Sequence, residues 1–141
     1  MILVLNGPNL NLFGTREPEI YGYETLDDMA AICGEVAQRL GVRIDFRQTN
    51  SEGELVTWIQ KARGTTDAII INAAAYTHTS VAIHDALKAY EGRVVELHVS
   101  NPHLREPFRH TSLVAPAADV LVAGFGPAGY GAAVAAAVGS A

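Results

Sequence analysis

The sequence predicts an α/β protein with a five-stranded parallel sheet covered by helices on both faces, and three observations carry that reading. Apolar runs of four to six residues alternate along the chain with segments of helical period. Most of the runs are continuously apolar, as strands buried on both faces are. The chain has 141 residues, the length of one domain, and area scaling lets such a chain bury about two-thirds of roughly 22,000 Å² of unfolded surface.

The elements follow in order. Ile2-Leu3-Val4-Leu5 is the first strand. Thr25 is placed to cap a helix whose apolar face runs Leu26, Met29, Ala30, Cys33, Val36, Ala37 and Leu40, with Gly41 as its stop. Cys33 lies on that face and reads as core rather than as a reactive thiol. Val42, Ile44 and Phe46 alternate with Arg43, Asp45 and Arg47, the pattern of a half-exposed strand at a sheet edge. Ser51 and Glu54 have capping-box spacing ahead of a helix through Leu55, Trp58, Ile59 and Ala62, ending at Gly64. Ala68 to Asn72 is the third strand, about Ser80 to Tyr90 the third helix, Val94 to Val99 the fourth strand and Val120 to Ala123 the fifth. A last helix follows Gly124-Phe125-Gly126-Pro127. Right-handed crossovers then favour a flavodoxin-like sheet of order 2-1-3-4-5 in one domain, residues 1–141.

Composition excludes several classes. Half the residues are hydrophobic, so the chain is not disordered. A single cysteine, Cys33, excludes an intramolecular disulfide framework and fits a reducing compartment. The net charge of −5, with no basic run, speaks against nucleic acid as a partner. The N-terminal apolar run is too short for a signal peptide or a span, and the Ala/Val-rich tail is broken by Gly129, Tyr130 and Gly131. A cytoplasmic protein without membrane contact is expected.

In doubly wound sheets ligands bind beyond the carboxyl ends of the strands. Polar residues cluster there: Asn6 to Asn11 after the first strand, Asn72 with Tyr76 to Thr79 after the third, Ser100 and Asn101 after the fourth. Glu96 and His98 alternate with apolar neighbours, so both project from one face of the fourth strand. A buried carboxylate there would hold the imidazole's tautomer and favour its charged form; the plainer alternative is a wet edge strand. The connection from Leu10 to Gly22 is long for its kind and carries Arg16 and Tyr21 between Gly14 and Gly22, two candidate hinges of a lid. A guanidinium beside a phenol favours phenolate, although spacing alone does not bring the two together. His103, Arg105, Arg109 and His110, opposed by Glu106, suggest an anionic substrate. Gly124 to Gly129 matches GxGxxG, but it follows the last strand and reads as a tight turn with close helix packing. His78, His84, Asp85, His98 and His103 leave a metal site conceivable, without the spacing of a known motif.

Gly7-Pro8-Asn9-Leu10-Asn11, Arg16-Glu17-Pro18 with Tyr21-Gly22, Asn72 with Tyr76 to Ala82, Glu96 to Asn101, Arg105 to Arg109 and Gly126 to Gly131 together resemble type II 3-dehydroquinate dehydratase, nearly end to end and in matching order. The resemblance implies a flavodoxin-like fold, a homododecamer (a tetramer of trimers), and conversion of 3-dehydroquinate to 3-dehydroshikimate and water without metal or organic cofactor. It implies Tyr21 as base, Arg16 lowering its pKa, Asn9 positioning an enolate-bound water, His98 as acid and Glu96 orienting His98. It further implies that Asn72, His78 and Arg109 hold substrate hydroxyls, that the Val99 and Ser100 amides hold the carboxylate, and that Asp85 comes from a neighbouring subunit. Two stretches depart from the family pattern: Ala73-Ala74-Ala75, where glycine is usual, and Pro107, where an acidic residue is common. A Schiff-base route would need a lysine near the strand ends, whereas Lys61 and Lys88 fall on helices away from them. A nucleotide-binding module and a metal-dependent hydrolase are the competing readings.

Overall fold

The computed structural model describes residues 1–15 and 17–139, with Tyr21 described in its backbone only. The strands are β1 (Ile2–Asn6), β2 (Ile44–Gln48), β3 (Ala68–Asn72), β4 (Arg93–His98) and β5 (Val120–Ala123), all parallel and in the order 2-1-3-4-5. The helices are α1 (Pro18–Tyr21), α2 (Leu26–Leu40), α3 (Glu52–Ala62), α4 (Val81–Lys88) and α5 (Ala128–Val138). The flavodoxin-like order expected from the sequence is therefore the one found.

Side-chain alternation divides the core into two layers. Ile2, Val4, Ile70, Val95, Leu97 and Val122 face Met29, Cys33 and Tyr130 of α2 and α5. Leu3, Leu5, Ile69, Ile71 and Val94 face Leu55, Ile59, Ile83 and Leu87 of α3 and α4. Burial drives the Cys33 thiol up to about 12, so it stays protonated and inert at neutral pH. The five strands feed their carboxyl ends to one rim, where register sets Gln48, Asn6 and Asn72 side by side.

The ends of the elements are set by local chemistry. Thr25 and Asp28 form a full capping box on α2, an Asp version that the sequence reading did not foresee. Ser51 accepts from the Glu54 amide, which is half of the box expected there. Ser80 caps α4 through the Ile83 amide. Val42 does not join β2, because its amide closes α2 onto Ala37 O behind Gly41, whose φ is +71°. The connection after β1 is not a plain loop. It holds a 3₁₀ turn at Leu10–Leu12 and the short α1, and Leu10 and Phe13 are buried in the core beneath it.

The glycine-rich turn acts as expected. Gly124 and Gly126 take positive φ, while a Cβ at Gly129 would lie 3.2 Å from Leu97 and one at Gly131 3.1 Å from Val36. Small residues thus let α5 sit hard against β4 and α2. Among the described residues no helix is long and apolar enough to cross a membrane.

Candidate active site

β4 is an inner strand, flanked by β3 and β5, so the edge-strand alternative for Glu96 and His98 is removed. Both side chains are buried, Glu96 almost completely, on the α3/α4 side of the sheet. His98 Nε2 donates to Glu96 Oε2 at 2.5 Å. Ser112 Oγ donates to the same oxygen at 2.7 Å. The other carboxylate oxygen, Oε1, is buried with no hydrogen-bond partner among the described residues. This pair fixes the imidazole by one nitrogen, which is how a buried carboxylate selects tautomer and orientation.

His98 opens onto a cleft at the carboxyl rim, with about 570 Å³ of empty space counting the open solvent at its mouth. Asn9, Asn72, His78, Val99, Ser100, Arg105 and Arg109 contribute to its wall. The rim brings them from five separate stretches of chain. Asn9 has φ +68°, a left-handed conformation that asparagine tolerates, and its amide donates to Asn50 Oδ1. Gly7 just before it donates to Asn72 O, and a Cβ at Gly7 would overlap the Ala73 backbone, so only glycine lets β1 and β3 close here.

Asn72 is held from behind. Its Nδ2 donates to Tyr130 OH at 3.2 Å, and Tyr130 OH donates to Asn6 Oδ1 at 2.6 Å. Complete burial keeps the Tyr130 phenol well above its ordinary range, so it remains a neutral relay of these bonds. Ala74 donates to Asn72 Oδ1 at 3.3 Å and does so with φ +52°. An alanine in that region carries strain of about 1–2 kcal/mol, and Asn72 lines the cleft beside it.

His78 Nδ1 donates to Thr111 O at 2.8 Å. Desolvation, reinforced by His98 and Arg109, holds its pKa below the usual histidine value, so it is neutral and Nε2 is left as an acceptor for a hydroxyl. Arg109 stacks over Phe108 and donates to Glu106 Oε1 at 2.9 Å, which holds that exposed carboxyl below its ordinary range. Pro107, the departure noted above, begins the 3₁₀ turn Pro107–Arg109 at the position where proline fits best. Val99 O and Ser100 O accept from Gly126 and Gly124, so the glycine-rich turn braces the strand end rather than cradling a nucleotide.

Asp85 does not reach this cleft within one chain. It is exposed on α4 in the groove facing α3, beside Gln60 and Arg63. His103 and His110 pair at 5.7 Å beside a second, smaller cavity behind His98. The side chains considered for a metal are thus spread: His84 is spent on Leu113 O, His78 on Thr111 O, and Asp85 points elsewhere. Lys61 and Lys88 end α3 and α4, and neither lines the cleft. Arg16 and the Tyr21 side chain lie outside the described residues. Ser112, Asn50 and Tyr130 escaped the sequence reading. Only Tyr130 left a signal, as a hydroxyl in an otherwise apolar helix that must find a partner.

A family model described as dehydroquinase class II matches residues 1–138. The chain is 58% identical over 130 residues to 3-dehydroquinate dehydratase 2 of Pseudomonas putida, covering 92% of this chain and 87% of that one. It is 59% identical over 138 residues to 3-dehydroquinate dehydratase of Phenylobacterium zucineum, covering 98% and 95%. The crystal structure of type II dehydroquinase from Propionibacterium acnes superposes with a TM-score of 0.91 at 44% identity, covering 94% of this chain and 92% of that one.

Proposed function

This chain belongs to the class II dehydroquinase family, and from that premise we propose which of its residues carry the reaction. The chain is a dehydratase that takes 3-dehydroquinate to 3-dehydroshikimate and water in the shikimate pathway. Removing a proton alpha to a ketone needs a base poised near the working pH, and losing a hydroxide needs a separate acid. Tyr21, as phenolate favoured by Arg16, takes the C2 proton. The C–H electrons form the C2–C3 double bond and the ketone oxygen becomes an enolate, held through a water positioned by Asn9. Its collapse forms the C1–C2 double bond and expels the C1 hydroxyl on the opposite face, protonated by His98 while Glu96 orients the ring. Asn72, His78 and Arg109 take the substrate hydroxyls, and the Val99 and Ser100 amides take its carboxylate. No metal or organic cofactor takes part.

The observation that supports this reading most is the buried Glu96–His98 pair opening onto the cleft where Asn9, Asn72, His78 and Arg109 gather. The exposed position of Asp85 fits its supply to a neighbouring subunit's cleft in a cytoplasmic homododecamer of single-domain 1–141 chains. Light scattering should then give a mass twelve times that of the 15.0 kDa chain.

Adding 3-dehydroquinate to the purified protein should raise the enone absorbance, with no loss on adding a chelator or on borohydride treatment in the presence of substrate. Chelator sensitivity would return a metal to the mechanism. Inactivation with a mass adduct on Lys61 or Lys88 would establish an imine route instead.

A further inference from the structure

We infer that Ser112 is a positioning residue for the proton donor: its hydroxyl holds the Glu96 carboxylate aimed at His98, the ring that delivers the proton. This deepens the reading of His98 as the acid and rests on it. A hydroxyl has one hydrogen and two lone pairs. Ser112 Oγ accepts from the Val114 amide at 3.2 Å and the Ala115 amide at 3.0 Å, which fills both lone pairs. Its hydrogen is therefore committed to Glu96 Oε2, the oxygen that His98 also uses.

The residues on either side of Ser112 are clamped. His78 Nδ1 donates to Thr111 O, Leu113 N donates to Thr77 O, and His84 Nδ1 donates to Leu113 O, each at 2.8 Å. Three bonds thus fix residues 111 and 113 against the turn and helix that follow β3. Since Glu96 Oε1 has no partner among the described residues, Ser112 supplies the carboxylate's donor other than His98 itself.

The consequence has a definite sign. When His98 gives up its proton, a buried anion is left beside a neutral ring, and the Ser112 donor stabilises that anion most. Without it the pair would hold its proton more tightly, and within the pair the proton would move toward the carboxylate. Among the described residues, the other charged or titratable groups facing the pair are His78 from the turn after β3, Arg105 and Arg109 from the segment after β4, and His103 and His110 across the cavity behind it. The β3 and β5 neighbours, Ile71, Leu121 and Ala123, carry no charge. None of these groups touches the carboxylate oxygen that Ser112 and His98 share.

The test is the pH profile of kcat for Ser112→Ala. A hydrogen bond to a charged group corresponds to about 10- to 100-fold. We expect kcat to fall by that factor with KM unchanged, because Ser112 does not line the substrate cleft, and the alkaline limb to move up by about one pH unit. Ser112→Thr keeps a hydroxyl and should return both values close to the parent enzyme. Ser112→Cys keeps the shape with a weaker donor and should shift the limb less, in the same direction, which serves if the alanine variant does not fold. A merely structural serine would loosen Glu96, remove its counter-charge from His98 and move the limb down. A limb that moves down or stays in place overturns the proposal. If His98→Asn instead keeps full turnover, the assignment of His98 itself fails.

Discussion

Replacing His98 by asparagine is expected to lower turnover about 10²–10⁴-fold, the usual contribution of a positioned acid, while C2 hydrogen exchange with solvent continues. Asparagine keeps a polar amide beside the buried carboxylate, which Ser112 Oγ continues to hold. The enolate forms and reverts, but the C1 hydroxyl has no proton to leave with. In deuterated water the recovered substrate should carry deuterium at C2 with little product. His98→Ala is a worse probe, because it strands Glu96 with Ser112 alone, and an uncompensated buried charge costs about 3–5 kcal/mol. Product formation at the parent rate in His98→Asn would remove His98 from the acid role.

Tyr21→Phe should show the opposite split. Without the phenol oxygen there is no base, so both C2 exchange and product formation should fall about 10²–10⁴-fold, with substrate still raising the melting temperature through binding to the folded state. Persisting exchange in this variant would place the base elsewhere in the cleft. The two variants together separate the steps: one stops before the enolate, the other after it.

The strand and helix pattern was readable because its causes are local. β3 and β5 were bounded by runs whose apolar character changes within a residue or two, and Thr25, Ser51 and Ser80 announced helix starts through bonds spanning three residues. The expected errors came where two local signals compete, as at Val42, which continues the alternation of β2 yet gives its amide to the end of α2. Glu96 and His98 were readable as a pair because strand geometry alone sends i and i+2 to one face. The partner of that pair was not, since nothing in the stretch around Ser112 distinguishes its hydroxyl from any other loop serine.

Sequence by itself settled the parallel sheet of order 2-1-3-4-5, the rim on which polar residues collect, and the family to which those motifs point. Tertiary structure alone decided how the rim is braced: Tyr130 reaches Asn6 across 124 residues to steady Asn72, and Ser112 reaches Glu96 across 16. It also decided that Asp85 faces away from its own chain's cleft. Periodicity and capping act over one turn or one strand step, so residues print them directly. A hydrogen bond between distant segments exists only after the sheet and its crossovers have set both ends within 3 Å, and no short stretch of sequence carries that distance.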